Sequence, residues 1–163
     1  MTAYKGIKRK GVFVNYTIRV ARLADAPEIE QLLTTSALTF EGVSAHLDTF
    51  WVARAGESLA GVAGVECYEA DGLLRSVAVQ ASERGKGLGA QLCDVVEAQA
   101  RLAGIQRLFL LTESAEAFFA ARGYQKIARS QTPVSIQSTD QFCRLCPDTA
   151  VLMGRDFKAP VGT

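Results

Sequence analysis

The chain has 163 residues, 48% of them hydrophobic and 21% charged, an ordinary globular composition that excludes a disordered polymer and fits one domain. Eighteen basic against seventeen acidic side chains give a formal net charge of +1, which argues against a nucleic-acid partner, and the one basic cluster (Lys5, Lys8, Arg9, Lys10) lies at the extreme N-terminus. No apolar run approaches the roughly 20 residues that span a bilayer, and Val12-Phe13-Val14 is too short for a secretory core, so a cytoplasmic protein with no membrane partner is expected.

Residues 1–14 lack periodicity and read as a flexible extension, residues 15–157 as one functional domain, and residues 158–163 as a tail. Asn15 to Ala21 alternates like a first strand. Asp25 precedes Ala26-Pro27-Glu28 as an N-cap would, and Ile29, Leu32 and Leu33 then follow at helical spacing. A short helix is expected near Val43–Leu47, then strands over Trp51–Ala55 and Leu59–Tyr68 that turn at Gly56-Glu57. Asp71-Gly72 has hairpin-turn chemistry and leads into a strand over residues 73–79. A long helix over Leu88–Ala103, with Leu88, Leu92, Val95, Val96 and Leu102 on one helical period, closes at Gly104, and Leu108–Leu111 is an unbroken apolar strand of the buried kind. Ala115–Arg122 predicts a short helix, Gln125–Ala128 a strand, Thr139–Leu145 a helix and Ala150–Met153 a last strand. The order describes an α/β (α+β) fold, a mixed and mostly antiparallel sheet with helices on both faces.

The strongest chemical signal is Arg84-Gly85-Lys86-Gly87-Leu88-Gly89, which follows a strand and opens the long helix. Glycines at 85, 87 and 89 let the main chain approach a ligand. The first N–H groups of a helix have no intrahelical partner, and with the helix dipole they form an anion site. Arg84 and Lys86 add mobile positive charge beside it. A pyrophosphate suits such a cradle. The run lacks the Gly-Lys-Ser/Thr ending of a nucleotide-triphosphate loop and the third glycine of a dinucleotide fingerprint.

Arg84, Gly87 and Gly89 resemble the Arg/Gln-x-x-Gly-x-Gly/Ala motif of the GNAT superfamily of acyl-CoA N-acyltransferases. That family's downstream Asn-x-x-Ala-x-x-Phe-Tyr pattern has its counterpart in Thr112, Ala115, Phe118 and Phe119, followed by Gly123-Tyr124. The resemblance covers about residues 15–130. It implies acetyl-CoA as co-substrate and no metal, with the amides of Arg84, Gly85, Lys86, Gly87, Leu88, Gly89 and Ala90 on the pyrophosphate. It further implies that the main chain of Val77 and Val79 pairs with the pantetheine arm, and that Thr112, Phe118 and Phe119 belong to the cofactor side. Acetyl transfer would be direct, in a ternary complex, with the oxyanion near a backbone N–H of Val77 to Val79.

Two departures bear on the acceptor. Phe119 stands where many relatives carry a tyrosine that protonates the departing thiolate, and Leu73 where histone-acetylating relatives carry a glutamate base. Strand parity puts residues 73, 75 and 77 on one face. An even hairpin loop then sets Glu66 and Tyr68 on the same face as Arg75. The functional reading makes Arg75 an anchor for a substrate oxyanion, Glu66 a general base and Tyr68 or Tyr124 an acid. The bland alternative is a solvated cross-strand ion pair worth ~0.2–1 kcal/mol. Glu41 and His46 lie in the segment that arches over the acceptor in this family, and enter as substrate-side candidates.

Cys143-x-x-Cys146 has no second pair for zinc, and Pro147 marks a helix end, so buried free thiols are expected. The tail pattern around Gln141-Phe142, Cys146-Pro147 and Met153 resembles the arsenic-resistance branch of the superfamily, close to amino-acid and phosphinothricin-type acetyltransferases. The resemblance implies a small amino-acid-like, anionic amine as acceptor and suggests a homodimer. A non-catalytic acetyl-CoA sensor and a thiol-based metalloid-binding protein are the alternatives from other classes.

Overall fold

The computed structural model describes residues 15–157, and the expectations for the N-terminal extension and the tail lie outside them. Seven strands form one sheet in the order β1-β2-β3-β4-β5-β7-β6. They are β1 (Thr17–Val20), β2 (Phe50–Ala55), β3 (Ser58–Tyr68), β4 (Asp71–Val79), β5 (Arg107–Thr112), β6 (Gln125–Lys126) and β7 (Val151–Asp156). Helices α1 (Ala26–Thr35), α2 (Leu88–Leu102), α3 (Glu116–Ala121) and α4 (Val134–Gln137) interrupt them. The β1–β2, β2–β3, β5–β7 and β6–β7 ladders are antiparallel, and β4–β5 is parallel. No helix among the described residues is long and apolar enough to cross a membrane.

The described residues form two compact units, one of residues 15–65 with 76–98, the other of residues 66–75 with 99–157. In the first, Ile29, Leu32 and Leu33 of α1 pack with Phe50, Val52, Leu59, Val62 and Ala78. Each large side chain buried there contributes about 1.5–3 kcal/mol. Phe50 pairs with Gly64, and its ring fills the space a Cβ at Gly64 would need, the nearest ring carbon being 2.5 Å away. In the second, Leu73, Phe109, Ile136 and Leu152 form the core, with Tyr68 and Phe142 packed against it.

Four local expectations are corrected. The hairpin between β3 and β4 turns at Glu69-Ala70, with Glu69 at φ 56°, and Asp71-Gly72 already belongs to β4. Asp71 is drawn into the strand because Arg107 holds its carboxylate at 2.8 and 3.1 Å and the Ser135 hydroxyl donates to it at 3.2 Å. Asp25 precedes α1 but does not cap it; its carboxylate accepts from both Arg19 Nη atoms, at 2.7 and 2.9 Å, and from the Arg22 N–H at 2.7 Å. Leu102, expected on the buried stripe of α2, is 81% exposed at the helix's last position. The expected helix over residues 139–145 is a π-helical turn, Gln141–Leu145, and α4 before it was not foreseen because Val134-Ser-Ile-Gln is one turn with no period to read.

Candidate active site

In the first unit, a single 3-10 turn (Ala81–Glu83) follows β4, and the glycine run leads from it into α2. Gly85 and Gly87 have φ of 76° and 82°, a left-handed conformation that side chains with a Cβ rarely adopt. Nothing lies within 4 Å of where a Cβ would stand at either position. The open space and left-handed backbone leave the main chain bare, as close approach of a pyrophosphate requires, so the residues present fit it. Arg84, Gly85, Lys86 and Gly87 are exposed, Gly89 and Ala90 half-buried, and the Leu88 side chain is buried, so Leu88 offers only its main chain. The Gly87 carbonyl accepts the Gln91 N–H at 3.1 Å and starts the helical ladder, which leaves the N–H groups of the first turn pointing out of the helix start.

Both cations of the loop have partners within the protein. Arg84 Nε donates to the Val79 carbonyl at 3.1 Å, and Lys86 Nζ lies 3.1 Å from Glu83 Oε2. Glu83 Oε2 also accepts the Tyr16 hydroxyl. This hydrogen bond holds the Glu83 carboxyl below the usual range, while burial and the same carboxylate push Tyr16 up to about 12. Glu83 and Tyr16 had no place in the sequence argument: their contact spans 67 positions and carries no motif.

The second unit holds the acceptor candidates. Glu66 Oε1 lies 3.0 Å from Arg75 Nη1, and Glu66 Oε2 accepts the Tyr68 hydroxyl at 3.1 Å. The structure thus brings together the three side chains that strand parity placed on one face. The true turn is displaced by two residues from the expected one, and a shift of two leaves parity unchanged. The bland alternative is overturned in one respect: the pair is not solvated, with Arg75 and Glu66 side chains only 3% and 7% exposed. Burial, with the nearby Glu66 charge and hydrogen bond, pushes the Tyr68 phenol up to about 12. Tyr68 therefore stays protonated as a donor to Glu66, which counts against it as the acid.

Beyond Arg75, the alternation of β4 is broken. Ser76 has φ 58°, the left-handed region, in mid-strand. The ladder to β5 takes in Asp71, Gly72 and Leu73. Val77 and Val79 are half-buried, and Leu73 is sealed in the core. Thr112, at the end of β5, accepts the Ala115 N–H on its hydroxyl at 3.0 Å and so supports the start of α3. Phe119 is buried edge-on against Phe118 and Tyr124, with ring centroids 5.0 and 5.6 Å away. Phe118 is 37% exposed and Tyr124 2%. Glu41 and His46 belong to the other unit: Glu41 N–H donates to Thr39 Oγ1 at 3.0 Å, and the half-buried His46 interrupts a 3-10 segment at φ −126°.

Cys143 and Cys146 are not the buried thiols that their sequence context predicts. Cys67 and Cys143 are exposed, Cys146 half-buried, and only Cys93 is in the core. Cys143 donates to the Gln137 carbonyl at 2.7 Å, and Cys146 to Gln141 Oε1 at 3.1 Å. Burial raises the Cys146 thiol, and the Arg75 charge partly offsets it. Among the described residues, no group of three or more His, Cys, Asp and Glu side chains could hold a metal ion.

A mixed seven-stranded sheet with a glycine cradle between a strand and a helix is the architecture that the resemblance to acyl-CoA N-acyltransferases implies. The sequence profile of the GNAT acetyltransferase domain matches residues 46–126. An amino-acid acetyltransferase of Mycobacterium tuberculosis is 34% identical over 137 residues, 78% of this chain and 77% of that protein. Among solved structures, the N-acetylglutamate synthase of Neisseria gonorrhoeae, complexed with coenzyme A and N-acetyl-glutamate, superposes with a TM-score of 0.77 at 23% identity. That match covers 92% of this chain but 36% of the other, so the chain spans about a third of the gonococcal synthase. Rv2747 of Mycobacterium tuberculosis, solved with CoA, gives a TM-score of 0.75 at 25% identity over 87% of this chain and 99% of its own. The chain belongs to the GNAT acetyltransferase family; it is an N-acetyltransferase with acetyl-CoA as donor.

Proposed function

We propose that the acceptor is a small, anionic, amino-acid-like amine, and that Arg75 and Glu66 receive it. The observation that carries this reading is the buried Glu66–Arg75 pair with Tyr68 on the second carboxylate oxygen. A guanidinium has five donors in a rigid fork, so Arg75 can serve Glu66 at Nη1 and still address an acceptor carboxylate. Glu66 complements the other end of an amino acid, its ammonium group. The amino-acid acetyltransferase among the relatives and the N-acetyl-glutamate bound to the gonococcal synthase support the same class of acceptor.

The chemistry asked of the chain is modest. Acetyl-CoA supplies an acetyl group activated as a thioester. The ammonium group first gives one proton to solvent, and Glu66 takes the second, which the amine loses as its nitrogen forms the new C–N bond and the C–S bond breaks. Phe119 has no proton to give, Tyr124 is buried, and Tyr68 is pushed up to about 12. The sulfur therefore leaves as thiolate, which a thiol of pKa about 8.5 tolerates without a side-chain acid. Positioning of two bound reactants supplies most of the acceleration.

The test is CoA release across a panel of anionic amino acids, phosphinothricin-like and arsenical amino-acid analogues, polyamines and peptides. Anionic amino acids are expected to turn over, and Arg75→Lys, which keeps the charge but loses the fork, to raise their KM at least roughly tenfold. Turnover confined to polyamines or peptides, or an unchanged KM in Arg75→Lys, would refute the acceptor assignment. The arsenical and phosphinothricin members decide whether the resemblance to the resistance branch extends to substrate.

A further inference from the structure

A carboxylate beside an anion site is out of place electrostatically, and Glu83 is one. It precedes the glycine cradle directly, its side chain is only 18% exposed, and its pair partner is Lys86 of the cradle itself. A single oxygen, Oε2, receives both Lys86 Nζ and the Tyr16 hydroxyl, from 67 positions away. Tyr16 is 7% exposed and anchored ahead of β1, so the carboxylate is fixed from the protein side while Lys86, 43% exposed, remains reachable from solvent.

From this geometry we infer that Glu83 is a positioning residue for acetyl-CoA: it holds Lys86 in place of the pyrophosphate in the free enzyme and gives it up when the co-substrate binds. The inference rests on the assignment of the glycine run to the pyrophosphate. Before the ligand arrives, the ammonium group needs an anion, and the loop supplies its own. When the pyrophosphate enters, Lys86 exchanges one oxyanion for another, and Tyr16 stays behind as the donor that keeps Glu83 satisfied. The exchange lowers affinity for the co-substrate relative to a loop without the carboxylate. It also keeps the lysine ordered, because the ligand finds it already at the loop and not free in solvent. Tyr16 opposes the carboxylate's hold on Lys86 by sharing its charge.

The arrangement predicts effects of opposite sign. Glu83→Gln keeps an acceptor for Tyr16 and removes the charge that holds Lys86. Its Kd for CoA by calorimetry, and its KM for acetyl-CoA, should fall roughly fivefold with kcat unchanged, the range of one partly exposed ion pair. Tyr16→Phe leaves Glu83 to Lys86 alone and should weaken CoA binding roughly two- to threefold, and this loss should vanish in a Glu83→Gln background. A merely structural role would make both substitutions weaken binding, and that result overturns the inference. Gly87→Val is the control for the underlying assignment. If it leaves CoA affinity intact, the glycine run is not the pyrophosphate site; if it abolishes binding while Glu83→Gln changes nothing, only the role of Glu83 fails.

Discussion

A phenol, a carboxylate and a cation occur together twice among the described residues. In the first unit Tyr16 donates to Glu83, which also holds Lys86; in the second, Tyr68 donates to Glu66, which also holds Arg75. In both, carboxylate and burial keep the phenol protonated, pushing each to about 12. What differs is the cation. Lys86 is 43% exposed and carries a compact ammonium group, whereas Arg75 is 3% exposed and forked. An exposed ammonium group can exchange partners at little cost, while a buried guanidinium cannot leave and can only add a partner. One motif can therefore serve a diffusing anion in one place and a fixed anchor in another, with burial deciding which.

The widest separation should come from breaking each ion pair. Arg75→Met leaves Glu66 charged and unpaired in the interior and should cost about 3–5 kcal/mol, or about 10 °C in thermal midpoint. A second change, Glu66→Met, should restore most of that stability without restoring turnover. Lys86→Met should cost no more than about 1 kcal/mol. Equal losses at the two sites would break the comparison.

A smaller effect lies at alkaline pH. A phenol raised from about 10 to about 12 contributes stability that is complete below pH 10 and is lost as the pH rises through 12. Tyr16→Phe and Tyr68→Phe should each flatten the decline in unfolding free energy between pH 10 and 12, and the double substitution should flatten it further. Urea denaturation across that window measures it. An unaltered decline in either variant would mean that its phenol is not tied to its glutamate in the folded state.

How much of this could be read in advance follows from how local each feature is. The glycine cradle was legible because a left-handed main chain at Gly85 and Gly87 demands glycine in the sequence itself. The Glu66–Tyr68–Arg75 cluster was legible because a strand has a period of two, and misplacing the turn by two residues preserved the face. Asp71 misled because its type favours turns, while Arg107, 36 positions away, held it in the strand. Asp25 misled for a similar reason, its capping oxygen having been claimed by Arg19. The Tyr16–Glu83 bond was out of reach, since it has no period, motif or short separation to betray it.

The left-handed Ser76 has a further consequence for how such a chain can diverge. It stands in β4 directly after Arg75. Up to Arg75 the identity of each side chain fixes which way its neighbours face; past Ser76 that rule no longer propagates. An inherited change in the acceptor half of the strand, even one that shifts its face, need not reverse the half that carries Val77 and Val79. The strand is thus one hydrogen-bonded element with two independent face patterns, so a substitution that alters one stretch need not alter the other.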